Sequence, residues 1–265
     1  MVCGCSYSSP SITLPGTSYG EQLAQRLGWD LVHYARAGCS NGGIRIQIDE
    51  AIRQRPDFTI IGLTFHDRME LPATAAPYTP GANEWKGIHP DLEAHLQNTS
   101  IENGYVFGEG IKNVNYRHRP YNMICETIFS LVENYEHDYR SQRLDKDTQN
   151  AVKQYVNFMY DSNWKLQRDL WMMRDGLTEM WAAGLKFLVI PDQLWRRFPL
   201  ETFYTDFMHK FIPRKHFILD QEYTPMNACN RYPYTGKDPG YHGSPESQKF
   251  MADYYYDIIT KWDTL

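Results

Sequence analysis

At 265 residues the chain exceeds the roughly 200–250 residues over which many α/β folds run as single units, so one domain carrying an insertion is expected. Charged residues make up 22% of the sequence, the net charge is −5 and like charges form no block, which excludes nucleic acid and anionic membrane as electrostatically favoured partners. The longest apolar runs, such as 185–190, are strand length and far short of the ~20 residues that cross a bilayer, so no membrane span is predicted.

The chain opens without a cationic segment followed by an apolar stretch, so no signal peptide is expected and the protein reads as cytoplasmic. Only Met1, Val2 and Cys3 precede Gly4-Cys5-Ser6, which predicts an unusually short first strand. Ser18 with Glu21 three residues later makes a capping box. Tyr19, Leu23 and Leu27 then share one helical face, and Gly28 ends the helix. Leu31–Ala35 reads as a second strand. Ile44, Ile48 and Ile52 mark a second helix, which Arg55-Pro56 stops. Phe58–Leu63 is a mostly apolar run without polar alternation, the pattern of a buried parallel strand.

From about Leu71 to Arg119, prolines and glycines break this rhythm over a stretch longer than the ~12–15 residues of an idle loop. An insertion at about 71–145 is therefore expected to form a lid or binding wall. A helix is predicted near Tyr121–Tyr139. A helical pattern follows over Asp145–Ala183, with Leu166, Leu170 and Met173 as its core stripe; Trp164, Trp171 and Trp181 are read as core residues ahead of pocket-lining ones. Leu185–Ile190 is a strand, Leu200–Phe211 a helix and Lys215–Leu219 a last strand. Ser244-Pro245-Glu246 opens the final helix with a cap, a proline at the first position and an acid in the first turn. Its expected buried stripe is Phe250, Tyr254, Ile258 and Trp262.

This alternation predicts an α/β fold: a doubly wound, mostly parallel sheet flanked by helices, in a single domain over 1–265 with the long insertion after the third strand. Ligands of such sheets lie at the carboxyl ends of the strands. Ser6, Gly38 and His66 all fall there, and His242 lies in the loop ahead of the final helix. Five cysteines, at 3, 5, 39, 125 and 229, form an odd set without a disulfide-scaffold spacing, which predicts free thiols. Cys3-Gly4-Cys5 lacks the second pair that a zinc site requires, so no metal is expected.

Gly4-Cys5-Ser6, Gly38-Cys39-Ser40-Asn41, Thr64-Phe65-His66-Asp67 and Asp238-Pro239-Gly240-Tyr241-His242, in that order, resemble the four sequence blocks of the SGNH/GDSL hydrolases. Those blocks are Gly-Asp-Ser, a glycine after the second strand, Gly-x-Asn-Asp after the third, and Asp-x-x-His near the end. Gly-Cys-Ser with Gly-x-Ser-Asn is similar to divergent members encoded by tailed bacteriophages, which would put the protein in a host cytoplasm or a virion. The resemblance implies a flavodoxin-like SGNH fold and a serine esterase with Ser6 as nucleophile, His242 as general base and Asp238 as the carboxylate that orients it. It further implies an oxyanion hole from the N–H groups of Ser6 and Gly38 with His66, and no cofactor. Asn41 and Arg68, near the strand ends, are candidates either for substrate contact or for holding a loop.

Three positions depart from the family pattern. Cys5 replaces an aspartate that could order the turn, His66 stands in place of the usual asparagine donor, and Asp238 precedes His242 by four positions instead of three. Two functions are compatible with this pattern. The first is hydrolysis of a small-molecule or carbohydrate ester, such as an O-acetylated sugar. The second is a binding or structural role, for instance in a virion, on an SGNH fold whose chemistry has decayed. The sequence specifies neither the acyl group, nor the alcohol, nor an oligomeric state.

Overall fold

The computed structural model of the protein describes residues 1–9, 14–35, 39–66, 68–72, 123–127, 146–191, 208–234 and 243–264. Strands β1 (Val2–Cys3), β2 (Thr59–Gly62) and β5 (Phe187–Ile190) form a parallel sheet in the order β1-β2-β5. The register pairs Val2 with Ile60 and Thr59 with Phe187. His33 bridges Val2 and Phe217 bridges Val189, both in parallel. The predicted strands at Leu31–Ala35 and Lys215–Leu219 are thus reduced to single bridges, and the start of the second is a 3-10 turn, Arg214–His216.

Because successive strand residues point to opposite faces, each strand feeds two cores. Val2, Ile60, Leu188 and Ile190 pack with Tyr19 and Leu23 of helix α1 (Tyr19–Leu27) and with residues of the last helix. Cys3, Ile61, Phe187 and Val189 pack with Ile44 and Ile48 of α2 (Asn41–Gln54) and with the long helix before β5. Burial of each such aliphatic or aromatic side chain contributes roughly 1.5–3 kcal/mol. Helices therefore cover both faces of the sheet, as the unbroken apolar character of β2 requires.

The capping box of α1 forms as its sequence predicts. Glu21 N–H donates to Ser18 Oγ at 3.3 Å, and Ser18 N–H donates to Glu21 Oε2 at 3.0 Å. Gly28 closes the helix at φ 66°, a left-handed conformation that glycine takes without strain. α2 ends at Arg55, ahead of Pro56.

The start of the insertion differs from its prediction. Residues 123–127, expected within a helix over Tyr121–Tyr139, form strand β4 (Met123–Thr127), antiparallel to β3 (Arg68–Pro72). Pairing with a strand more than 50 positions upstream overrides the local pattern. The rest of the insertion, 73–122 and 128–145, lies outside the described residues, as does most of the helix predicted at Leu200–Phe211.

The pattern over Asp145–Ala183 divides into α3 (Lys146–Phe158) and α4 (Ser162–Ala182). Asp161 makes the division by capping α4, its Oδ1 accepting from Trp164 N–H at 2.7 Å. Leu166, Leu170 and Met173 are buried as expected, but Trp164, Trp171 and Trp181 are 60%, 44% and 42% exposed. They lie off the apolar stripe, where Trp164 and Trp171 meet edge-to-face at 5.6 Å.

A short helix, α5 (Pro225–Arg231), precedes the final one, α6 (Pro245–Thr260). The buried face of α6 is Gln248, Met251, Ala252, Tyr255 and Ile259, a turn of about one residue from the expected stripe. Trp262 is buried as predicted. Phe250 and Tyr254 instead stack on Tyr223, the latter at 3.6 Å between ring centroids, so aromatic size alone mispredicts the inward face. No helix among the described residues is long and apolar enough to cross a membrane.

His216 sits beneath the sheet edge against Trp181, Phe187 and Trp262, and its Nδ1–H donates to the Phe187 carbonyl at 2.8 Å. Burial pushes its imidazole down to about 4 from an ordinary value of 6.5. As pH falls below about 6.5 the unfolded chain takes up a proton that the folded chain refuses until about pH 4, so folded stability declines across that window. Allowing for solvent screening, the decline is about 2–3 kcal/mol. Thermal melts between pH 7 and 4 are expected to fall more steeply for the wild type than for His216→Phe, and identical slopes would exclude this origin.

Candidate active site

β1 ends at Gly4, whose φ of 150° is a conformation that side chains rarely adopt. A Cβ there would lie 2.7 Å from Ser8 Oγ and 2.9 Å from the Gly62 carbonyl, and one at Gly62 would also run into Ser8 Oγ. The two glycines therefore let the 4–9 turn fold back against the end of β2. Ser8 N–H donates to the Cys5 carbonyl at 2.9 Å, and Ser9 donates to the Ser6 carbonyl from N–H at 3.3 Å and from Oγ at 2.9 Å. Ser6 is thus held within a tight turn at the carboxyl end of β1, 4% exposed.

Cys5 is buried in the apolar core between the sheet, α2 and α4. Gln47 of α2 clamps the start of this turn. Its Oε1 accepts from Gly4 N–H at 2.6 Å, and its Nε2 reaches the Gly4 carbonyl and Cys39 Sγ, each at 3.4 Å. Gln47→Leu would strand the buried Gly4 N–H, at an expected cost of about 1–3 kcal/mol. A denaturant midpoint unchanged in that variant would show the clamp to be dispensable.

The second side of the site is the start of α2. Ser40 caps it, Oγ accepting from Gly43 N–H at 3.2 Å. Asn41 is fully buried: Nδ2 donates to the Thr64 carbonyl at 3.1 Å and to Asp169 Oδ2 at 2.9 Å, while Oδ1 accepts from Thr64 N–H at 3.0 Å. Arg68, 8% exposed, donates from Nη1 to the Cys39 carbonyl at 2.7 Å. These contacts tie Asn41 to the Thr64 backbone and a buried carboxylate and Arg68 to the Cys39 carbonyl, which fits the loop-holding role and leaves substrate contact open to Arg68.

His66, at the end of the loop after β2, shares a 2.9 Å hydrogen bond between its Nε2 and Ser162 Oγ at the first turn of α4, and its Nδ1 is screened from water. Gly38, Asp238 and His242 lie outside the described residues. Their neighbours are placed, however. Tyr19 N–H at the start of α1 donates to Gln248 Oε1 at 2.9 Å in the first turns of α6, and Arg26 pairs with Asp253 at 2.6 Å further along. α1 and α6 thus run in parallel, with their N-termini side by side. Gly243, just before α6, pairs with Pro233.

Four residues of this neighbourhood escape sequence reading: Gln47, Ser162, Lys165 and Asp169. Only the last two left a signal, a Lys and an Asp spaced i,i+4 inside the Leu166–Leu170–Met173 stripe. Gln47 and Ser162 look like ordinary surface positions until the helices are docked. Among the described residues no group of three or more His, Cys, Asp or Glu could hold a metal ion. Cys3, Cys5, Cys39 and Cys229 are thiols outside any disulfide, and burial pushes that of Cys3 up to about 12. No protein-family model, no curated protein and no solved structure matches the chain.

Proposed function

We propose that the protein is a serine ester hydrolase of the SGNH/GDSL type on a flavodoxin-like doubly wound fold. The observation that carries this reading is where Ser6 falls in the strand order. The three strands and the two bridges run His33, β1, β2, β5, Phe217, so the chain steps outward from β1 to His33 and then crosses back to β2. The strand order therefore reverses between β1 and β2. Crevices at such reversals, outside the carboxyl ends of the strands, are where open α/β sheets bind ligands. The Gly4–Ser9 turn, the Asn41 end of α2 and the Thr64–His66 loop border that crevice.

In the proposed mechanism Ser6 Oγ attacks the ester carbonyl while His242 takes its proton and then passes it to the leaving alcohol. Water, activated by the same imidazole, releases the acyl group, and Asp238 orients the ring. The N–H groups of Ser6 and Gly38 stabilise the tetrahedral oxyanion. His66 adds a donor through Nδ1 when its Nε2 accepts from Ser162 Oγ–H; a donor screened from water is effective in that role. The substrate class is a short acyl ester, with O-acetylated carbohydrate as the leading candidate. The test is incubation with a fluorophosphonate followed by mass mapping. A single adduct on the Ser6 peptide is expected, whereas folded protein that takes no label there would favour the binding or structural alternative.

His66→Ala is expected to lower kcat by about 10²–10³ with little change in KM, since the contact is made mainly in the transition state. His66→Asn, which restores the family's usual residue, should recover part of the loss. An unchanged kcat in well-folded His66→Ala would remove His66 from the site.

A further inference from the structure

Lys165 and Asp169, one turn apart on α4, form an ion pair inside the protein with side-chain exposures of 6% and 0%. Lys165 Nζ reaches both carboxylate oxygens, at 2.6 and 2.8 Å. Apolar side chains of similar volume in place of a buried pair are often neutral or stabilising, because two charges have been taken out of water. Stability alone therefore gives the pair no purpose. A further bond of the pair does: Asp169 Oδ2 accepts from Asn41 Nδ2, and Asn41 in turn holds both the N–H and the carbonyl of Thr64.

An amide side chain can sit either way round, and its neighbours decide which. A carboxylate only accepts, so Asp169, together with the Thr64 carbonyl, draws the Nδ2 end of Asn41 toward itself. Oδ1 is then left facing the Thr64 N–H; the opposite orientation would set donor against donor. Lys165 supplies the counter-charge that lets a carboxylate occupy this place. The chain of contacts runs from α4 through the first residue of α2 to the loop that carries His66.

We propose that the Lys165–Asp169 pair is a positioning device for the crevice: acting through Asn41, it fixes the Thr64–His66 loop against the Ser6 turn. This rests on the reading of Ser6 as nucleophile. Neither Lys165 nor Asp169 is assigned a contact with substrate.

The test uses the full chain and two variants. Asp169→Asn keeps the shape but leaves Lys165 without its partner, and Lys165→Met with Asp169→Leu removes both charges. Three quantities are read: Tm, hydrogen exchange at the Thr64 amide, and the rate of fluorophosphonate labelling at Ser6. The double variant should hold its Tm within about 4 °C. Its Thr64 amide should exchange about tenfold faster, and labelling should slow by about tenfold to a hundredfold, as expected when a site is misplaced by about 1 Å. Unchanged exchange or unchanged labelling in the folded double variant overturns the proposal while leaving Ser6 as nucleophile. Unfolding of both variants makes the pair a stability element and overturns it as well. Wild-type protein that takes no label at Ser6 instead overturns the nucleophile reading itself, so the two failures are distinguishable.

Discussion

Ser6→Ala is expected to abolish hydrolysis of a short-chain aryl ester, a loss of about 10⁴-fold or more in kcat, while the protein stays folded. The fold should tolerate the change because the bonds that shape the turn run through the Ser6 carbonyl, which accepts from Ser9 N–H and Oγ, and through the Gln47 clamp on Gly4. Alanine keeps all of these. Steady-state kinetics beside a thermal melt separate loss of the nucleophile from loss of structure. Equal activity in the variant would rule out Ser6, and activity lost together with Tm would indicate damage to the turn.

His242→Ala is expected to cost nearly as much as Ser6→Ala, and the double variant little more than either. A nucleophile and its base act as one unit, so their losses do not multiply. Asp238→Asn should cost less than either if a backbone carbonyl also orients the ring. Independent, multiplying losses for Ser6 and His242 would show that they do not share a step.

Several elements were legible because their causes are local. The Ser18–Glu21 capping box, Gly28 and the Ser244-Pro245 start each involve residues within about one turn of one another, so the helix ends they set could be read directly. Phe58–Leu63 was legible for a related reason: an apolar run of that length is stable only between two covered faces. The Ser6 position belongs here too, since a serine directly after a strand stub is a one-dimensional fact.

Other features depend on partners distant in sequence. β4 is a strand because β3 lies beside it. The inward face of α6 is set by the fit of Ala252 and Tyr255 against α1, so Phe250 and Tyr254 turn out to meet Tyr223 instead. Trp164 and Trp171 are exposed because the neighbouring stripe fills the space against the sheet. The same holds inside the candidate site, where the partners of Asn41 and Arg68 are Thr64, Asp169 and Cys39, all distant in sequence.

The sequence by itself thus determined the first helix with its caps, the strands ending at Gly62 and Ile190, the end of α2 and the start of α6, and the presence of Ser6 just past a strand end, all consequences of short-range sterics and hydrogen bonding. Only the tertiary structure decided that the strand order reverses beside Ser6, that Gln47 clamps the start of its turn, and that a buried Lys165–Asp169 pair reaches Thr64 through Asn41. Those contacts join residues between 23 and 128 positions apart, and a hydrogen bond across such a span exists only after packing has set the geometry that makes it.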